Sequence, residues 1–273
     1  MDNTSQIGRK SAIRRALPIT ECGLKFYPIT MQDYEIFIQC KDSLTLRLGT
    51  LPVKYLTKNY VSAIFALEMD SIKSSDKNKG IFYRLLRLLY LSLRIEMTVE
   101  MLNSSIFYVQ KQDDIELQHI LVKQDEKVVK LTPNDLSFKI IPVIAEQNGI
   151  ELPDQSANID LVVANEQKKE IENQKLKLKL DLNDKIASVS YLSRVPEREI
   201  DKWTVREFEA RYNAIERDKR FMIYGQAEAG GMVSFKNGNP YPSWCFDKID
   251  DSLGGIPLSN FKKNLQGVKE KNN

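Results

Sequence analysis

The stretch IFYRLLRLLYLSLRIEMTVEML, residues 81–102, followed after Asn103-Ser104-Ser105 by Ile106-Phe107-Tyr108-Val109, decides the fold. Up to Leu102 the leucines are dense enough to line a buried helix. After Ser105 the apolar pattern shortens to a period of two, that of a strand. The leucine-rich part has the length of a membrane span. It carries Arg84, Arg87, Arg94, Glu96 and Glu100, however, and each central Arg costs about 2.5–3.5 kcal/mol to insert. A core helix of a soluble domain is the expectation.

Working outward, Ile115–Val122 and Lys127–Leu131 repeat the strand pattern, with Asp113-Asp114 and Gln124-Asp125-Glu126 as turns. The three strands predict a small antiparallel meander. Upstream, Ser71–Gly80 reads as a polar surface loop. Before it, Leu56, Tyr60, Ile64 and Leu67 give one striped helix over about Val53–Glu68. Thr30 is a plausible cap for a helix through Tyr34, Phe37 and Ile38. Leu24–Ile29 is a short strand ended by Pro28, and residues 1–20 read as a flexible basic arm.

Downstream, Thr132-Pro133-Asn134-Asp135 is a helix start. That helix runs to about Gln147, is kinked by Pro142 and stops at Asn148-Gly149. Residues 156–181, with Glu166-Gln167-Lys168-Lys169-Glu170 and an alternating Lys/Leu run, read as a linker or polar helix. Beyond it Pro196 opens a short helix. Thr204-Val205-Arg206-Glu207 is a capping box heading a long helix. Along that helix Val205, Phe208, Tyr212, Ile215, Met222, Gly225 and Ala229 keep near-heptad spacing, and Gly230-Gly231 ends it. The predicted fold is therefore α+β and predominantly helical. Its parts are an arm (1–20), an N-terminal α+β domain with the meander (21–155), a linker (156–181), a helical C-terminal domain (182–255) and a tail (256–273).

The chain's 273 residues are 42% apolar and 28% charged, which argues against wholesale disorder. Its 40 basic and 37 acidic residues leave +3, too even for a dedicated nucleic-acid binder. Cys22, Cys40 and Cys245 are odd in number and fit reduced thiols in a cytoplasm better than a disulfide framework. Met1–Thr20 has no apolar core of the kind a secretory signal needs.

Few residues of the chain offer catalytic chemistry. His119 is the single imidazole, so every Ser–His or Cys–His arrangement would have to use it. It sits mid-strand, where a structural histidine is the commoner explanation. One His and three scattered Cys do not make a zinc set. There is no phosphate-binding loop and no dinucleotide glycine fingerprint. Asp113-Asp114 and Asp250-Asp251 fall in turns, with nothing to bury them and raise a pKa. The reading is a binding protein and not an enzyme, with no cofactor and no metal.

One resemblance gives that binding a direction. Ile200-Asp201-Lys202-Trp203-Thr204-Val205-Arg206-Glu207-Phe208 is followed by Arg217-Asp218-Lys219 and Ile223-Tyr224, then by Gly230-Gly231-Met232-Val233-Ser234-Phe235-Lys236 and Trp244. With Leu131-Thr132-Pro133 through Glu146-Gln147-Asn148-Gly149-Ile150 upstream, this order resembles tail assembly chaperones and tail-associated proteins of tailed bacteriophages and prophage-derived tail elements of Gram-positive bacteria. It covers about Thr132–Asp247; Pro240-Tyr241-Pro242-Ser243 departs from the more helical family version.

The resemblance implies a protein of the bacterial host cytoplasm that binds the tape-measure protein, and possibly tail tube subunits, before the tail polymerises. A long helical tape measure exposes apolar stripes until its tube encloses it, and such stripes aggregate unless covered. The candidate contacts are Trp203, Phe208, Tyr212, Met232, Phe235 and Trp244, aromatics and methionine being enriched at interfaces. Such families often make short and extended forms by frameshifting, and Lys168-Lys169 is where a slippery A-rich codon run would fall. A permanent tail or baseplate component is the alternative. A nucleic-acid-binding regulator using Arg9-Lys10 and Arg14-Arg15 is the second. No membrane partner is expected.

Overall fold

The computed structural model describes residues 3–73, 80–110, 115–155 and 181–234. The fold is α+β and predominantly helical. Helix α1 (Asn3–Arg14) leads into a hairpin, β1 (Ile19–Glu21) with β2 (Leu24–Phe26). Its turn is Cys22-Gly23, both at positive φ, 49° and 79°, as a two-residue hairpin turn requires. Next come α2 (Tyr34–Thr45), α3 (Val53–Leu56), α4 (Tyr60–Lys73), α5 (Ile81–Leu93) and α6 (Val99–Ser105). The meander is β3 (Ile106–Gln110), β4 (Ile115–Gln124) and β5 (Lys127–Leu131), antiparallel in the order β3-β4-β5. Helices α7 (Pro133–Asp135) and α8 (Ile141–Asn148) follow, joined by a π-helical turn, Leu136–Ile140. Then come α9 (Leu182–Ser193), α10 (Glu197–Ile200) and α11 (Val205–Ala229).

The core forms where the apolar faces of α2, α4, α5, α8 and the inner face of the sheet meet. Nine residues of α5 are buried, among them Phe82, Leu85, Leu86, Leu88, Leu89 and Tyr90. Phe65 of α4 meets the Phe82 ring edge-on at 5.0 Å, a favoured aromatic geometry. The start of α5 is held from α4. Glu68, itself buried, accepts from Gly80 N at 2.9 Å and from Phe82 N at 3.1 Å. A carboxylate on the free N–H groups of a first turn satisfies orphan donors and meets the positive helix end.

The three strands of the meander lie where their period places them, whereas the strand expected over Leu24–Ile29 ends at Phe26 and pairs with β1, which the sequence reading did not place. The long helices are more broken than that period suggests. The stripe over Val53–Glu68 divides at Thr57-Lys58-Asn59, because the Asn59 side chain accepts from Ser62 N at 2.9 Å and starts α4 afresh. The leucine-rich helix stops at Arg94, which takes φ 56° as a left-handed cap. Thr98 then caps α6 by accepting from Met101 N. Pro142 is absorbed by widening. Ile141 N donates to Leu136 O in the π turn, so the missing proline N–H falls where the helix has already changed pitch.

Two expectations about the chain's organisation are corrected. The expected arm is largely structured where it is described, with α1 over Asn3–Arg14 and β1 from Ile19. Ala16 (φ 54°) closes α1, with Leu17 N donating to Ala12 O at 2.9 Å, a helix stop without the usual glycine. Nor does the chain divide at Leu182. By their contacts, Leu182–Arg211 group with the described residues up to 155, while Asp181 and the described residues 212–234 belong to a second unit.

Ile29–Gln32 joins these parts of the first unit. Ile29 N donates to the buried Asn148 Oδ1 at 2.9 Å, and Ile29 O accepts from Val205 N at 2.9 Å. Met31 N donates to Trp203 O and Gln32 N to Asp201 O. Gln147, also buried, donates from Nε2 to Phe26 O at 3.1 Å. Burial of two amide side chains is tolerable because each serves backbone groups that would otherwise lack partners. The linker (156–181), apart from Asp181, and the tail (256–273) lie outside the described residues.

Candidate protein-binding surface

Helix α11 starts as its sequence requires. Thr204 Oγ1 accepts from Glu207 N at 3.2 Å, and Glu207 Oε2 accepts from Thr204 N at 2.9 Å, a reciprocal capping box. The anchor is short. Val205 and Phe208 are buried, Phe208 completely, with its ring edge-on to Tyr34 at 6.3 Å. They are the buried residues of this 25-residue helix, and both sit within its first four positions.

Beyond Phe208 the same heptad seam continues through Tyr212, Ile215 and Met222. Tyr212 and Ile215 are half-buried and Met222 is 46% exposed. Ile223, one step off the seam, is 63% exposed. Gly231, at φ 70°, terminates the helix, and Met232 just past it is 85% exposed. The seam's other face is polar, with Arg220 paired to Glu216 one turn before it. Among the described residues the stripe is thus buried for one turn, half-buried through Tyr212 and Ile215, and exposed at Met222, the pattern of an amphipathic helix face that can take a second helix.

The six residues singled out by sequence fare differently. Phe208 is corrected: a side chain with no exposed surface is core, and it belongs to the first unit. Trp203 is half-buried in that unit, with the Arg211 guanidinium 4.0 Å above its ring, a cation–π contact. Tyr212 and Met232 belong to the second unit. Phe235 and Trp244 lie outside the described residues. Met222 and Ile223 are the exposed apolar residues of α11 that sequence reading did not choose. Met222 sat in the stripe, but the stripe alone does not say where its cover ends.

Residues with chemical potential stay apart. His119, on β4, stacks on Phe107 of β3 with ring centroids 4.5 Å apart and planes 8° from parallel. Its pKa is lowered by desolvation and by Lys130. The thiols of Cys22 and Cys40 are both pushed up, chiefly by burial, opposite to what a nucleophile needs. Among the described residues no cluster of three or more His, Cys, Asp or Glu could hold a metal. Cys245, Asp113-Asp114 and Asp250-Asp251 lie outside them. No helix among the described residues is long and apolar enough to cross a membrane. Comparison with protein-family models, with curated proteins and with solved structures found no match to this chain.

Proposed function

We propose that this protein is a bacteriophage tail assembly chaperone that covers apolar helical stripes of the tape-measure protein, and possibly tube subunits, before the tail polymerises. The observation that carries the reading is exposed apolar surface on and after α11: Met222 on the seam, Ile223 beside it and Met232 just past the helix end follow a single buried turn at Val205 and Phe208. A helix buried at one end that exposes apolar side chains further along pairs naturally with another amphipathic helix. The partner's identity comes from the resemblance of Ile200–Trp244 and Thr132–Ile150 to tail chaperones. Binding without chemistry in the host cytoplasm is part of the same proposal.

The test is affinity capture of the tagged chain from cells expressing a tail gene cluster, with mass spectrometry of both the capture and the purified particles. Recovery of the tape-measure protein, with the chain absent from finished particles, supports the reading. Failure to capture any tail protein ends it. Stoichiometric presence in particles replaces it with a permanent tail or baseplate component.

A further inference from the structure

The two edges of the three-stranded sheet are built differently. On one side β5 reads Lys127-Val128-Val129-Lys130-Leu131, with a lysine at each end of its exposed run. The neighbouring hairpin approaches this side: Gln124, at the β4–β5 turn, donates from Nε2 to Lys25 O at 2.9 Å and accepts from Lys25 N at 2.7 Å. Charges and cover of this kind are how proteins blunt a sheet edge.

The opposite edge, β3, has no charge of its own and, among the described residues, no such cover. Ile106-Phe107-Tyr108-Val109-Gln110 contains no charge and no proline, and among the described residues no strand pairs with its outer side. Phe107, Tyr108 and Val109 are 41%, 53% and 46% exposed. The sheet's irregularity does not protect this edge. Between Phe107↔His119 and Tyr108↔Leu117 the extra residue is Gln118, on β4. The bulge therefore lies inside the sheet, and β3 keeps an unbroken period of two. Its side chains are also pre-set. Phe107 is fixed by its stack on His119, while Tyr108 lies 5.8 Å from Phe65 on the other face. Little side-chain freedom remains to be lost on pairing.

The geometry points to β3 as the self-association edge of this protein, its occupant being β3 of a second copy. Antiparallel pairing about a two-fold axis at Tyr108 sets Phe107 against Val109 of the other copy, Tyr108 against Tyr108 and Ile106 against Gln110. Every pair is neutral, so the edge is self-complementary without like-charge repulsion, as an isologous interface requires. Aromatic against β-branched is among the favoured cross-strand pairs. The result is a continuous six-stranded sheet whose outer edges are the lysine-bearing β5 strands. This inference is independent of the tail-assembly reading.

Sedimentation velocity of the full chain across micromolar concentrations, beside Val109→Lys, tests it. Val109 is exposed, and lysine is the residue that guards β5. The wild-type chain should sediment as a dimer. The variant should raise the dissociation constant about ten-fold or more, with an unchanged circular dichroism spectrum and melting temperature. A wild-type chain that stays monomeric, or a dimer unmoved by Val109→Lys, overturns the proposal. Disulfide trapping of Tyr108→Cys, which the two-fold axis would set against itself, checks the register: no cross-link in an intact dimer rejects this edge.

Discussion

Helices α5 and α11 both carry a periodic apolar stripe, yet the protein treats them oppositely. In α5 nine of thirteen residues are buried, covered by α2 and α4 and pinned at the start by Glu68. In α11 burial ends at Phe208, and about six more turns run on with their apolar side chains half-covered or exposed. Periodicity therefore reports only that a face wants cover. Whether the same chain supplies that cover depends on sequence-distant elements. For α5 those are Tyr34–Thr45 and Tyr60–Lys73; for the first turn of α11 they are Ile29–Tyr34.

The largest effect is expected at the buried end of α11. Phe208→Ala empties a fully buried site and should cost about 3–5 kcal/mol in denaturant unfolding. A loss below about 1 kcal/mol would mean that the first turn of α11 is not core, and the contrast with α5 would vanish. Next in size is Glu68→Ala, on the α5 side. It strands the N–H groups of Gly80 and Phe82, and hydrogen bonds to a charged group contribute about 1.5–3 kcal/mol each way of counting. Unfolding should be earlier by that amount. Amide exchange should quicken first at the start of α5, because the carboxylate holds that turn in particular.

Much of this was legible from sequence, for stated reasons. The strands were readable because alternation in Leu117-Gln118-His119-Ile120 and the turn at Asp125-Glu126 are local signals. The helix start at Thr132–Asp135 and the capping box at Thr204/Glu207 were readable because each lies within one short segment; the structure makes the first a capping box as well. What escaped depends on distant groups or unusual stops. Helix α1 ends on Ala16 and the leucine-rich helix on Arg94, neither of which announces a left-handed cap as glycine would. The docking of Leu182–Arg211 on the N-terminal residues rests on backbone bonds to Ile29, Met31 and Gln32, which no spacing encodes. In the candidate surface the aromatic and methionine rule found Met232 but took the core residue Phe208 with it. A type of side chain that suits an interface equally suits a core. Four consecutive apolar residues, Ile106–Val109, did carry a signal for the open edge: a strand with both faces apolar cannot bury both against one small sheet.

A smaller effect separates caps that titrate from packing that does not. Asp135 accepts from Lys139 Nζ at 2.7 Å and from Thr132. These bonds hold its pKa near about 2, below the usual 3.8, with Lys139 the larger cause. Because the folded value is depressed, this contribution is complete above about pH 4 and disappears as pH falls through 2. Asp135→Asn should therefore cost about 1 kcal/mol or less at pH 7, the site being partly open to solvent. The gap between the two proteins should close by pH 2. A pH-independent gap would assign Asp135 a purely steric role.

The smallest stability effect carries the most functional information. Met222 lies on the same seam as Phe208, fourteen residues on, but open. Met222→Asp, alone or with Ile223→Asp, should move the unfolding midpoint by no more than about 0.5 kcal/mol, since exposed substitutions away from caps and core rarely do more. The same change sets a carboxylate in the middle of any helix–helix seam, where an unpaired desolvated charge is costly. Capture of the helical partner should then be lost while the fold is kept. That outcome would separate the two ends of α11 as Phe208 for folding and Met222 for binding. If both stability and capture survive, the open seam is only a solvated face. If stability falls as far as it does for Phe208→Ala, α11 is covered along its length by its own chain, and its contrast with α5 was one of degree.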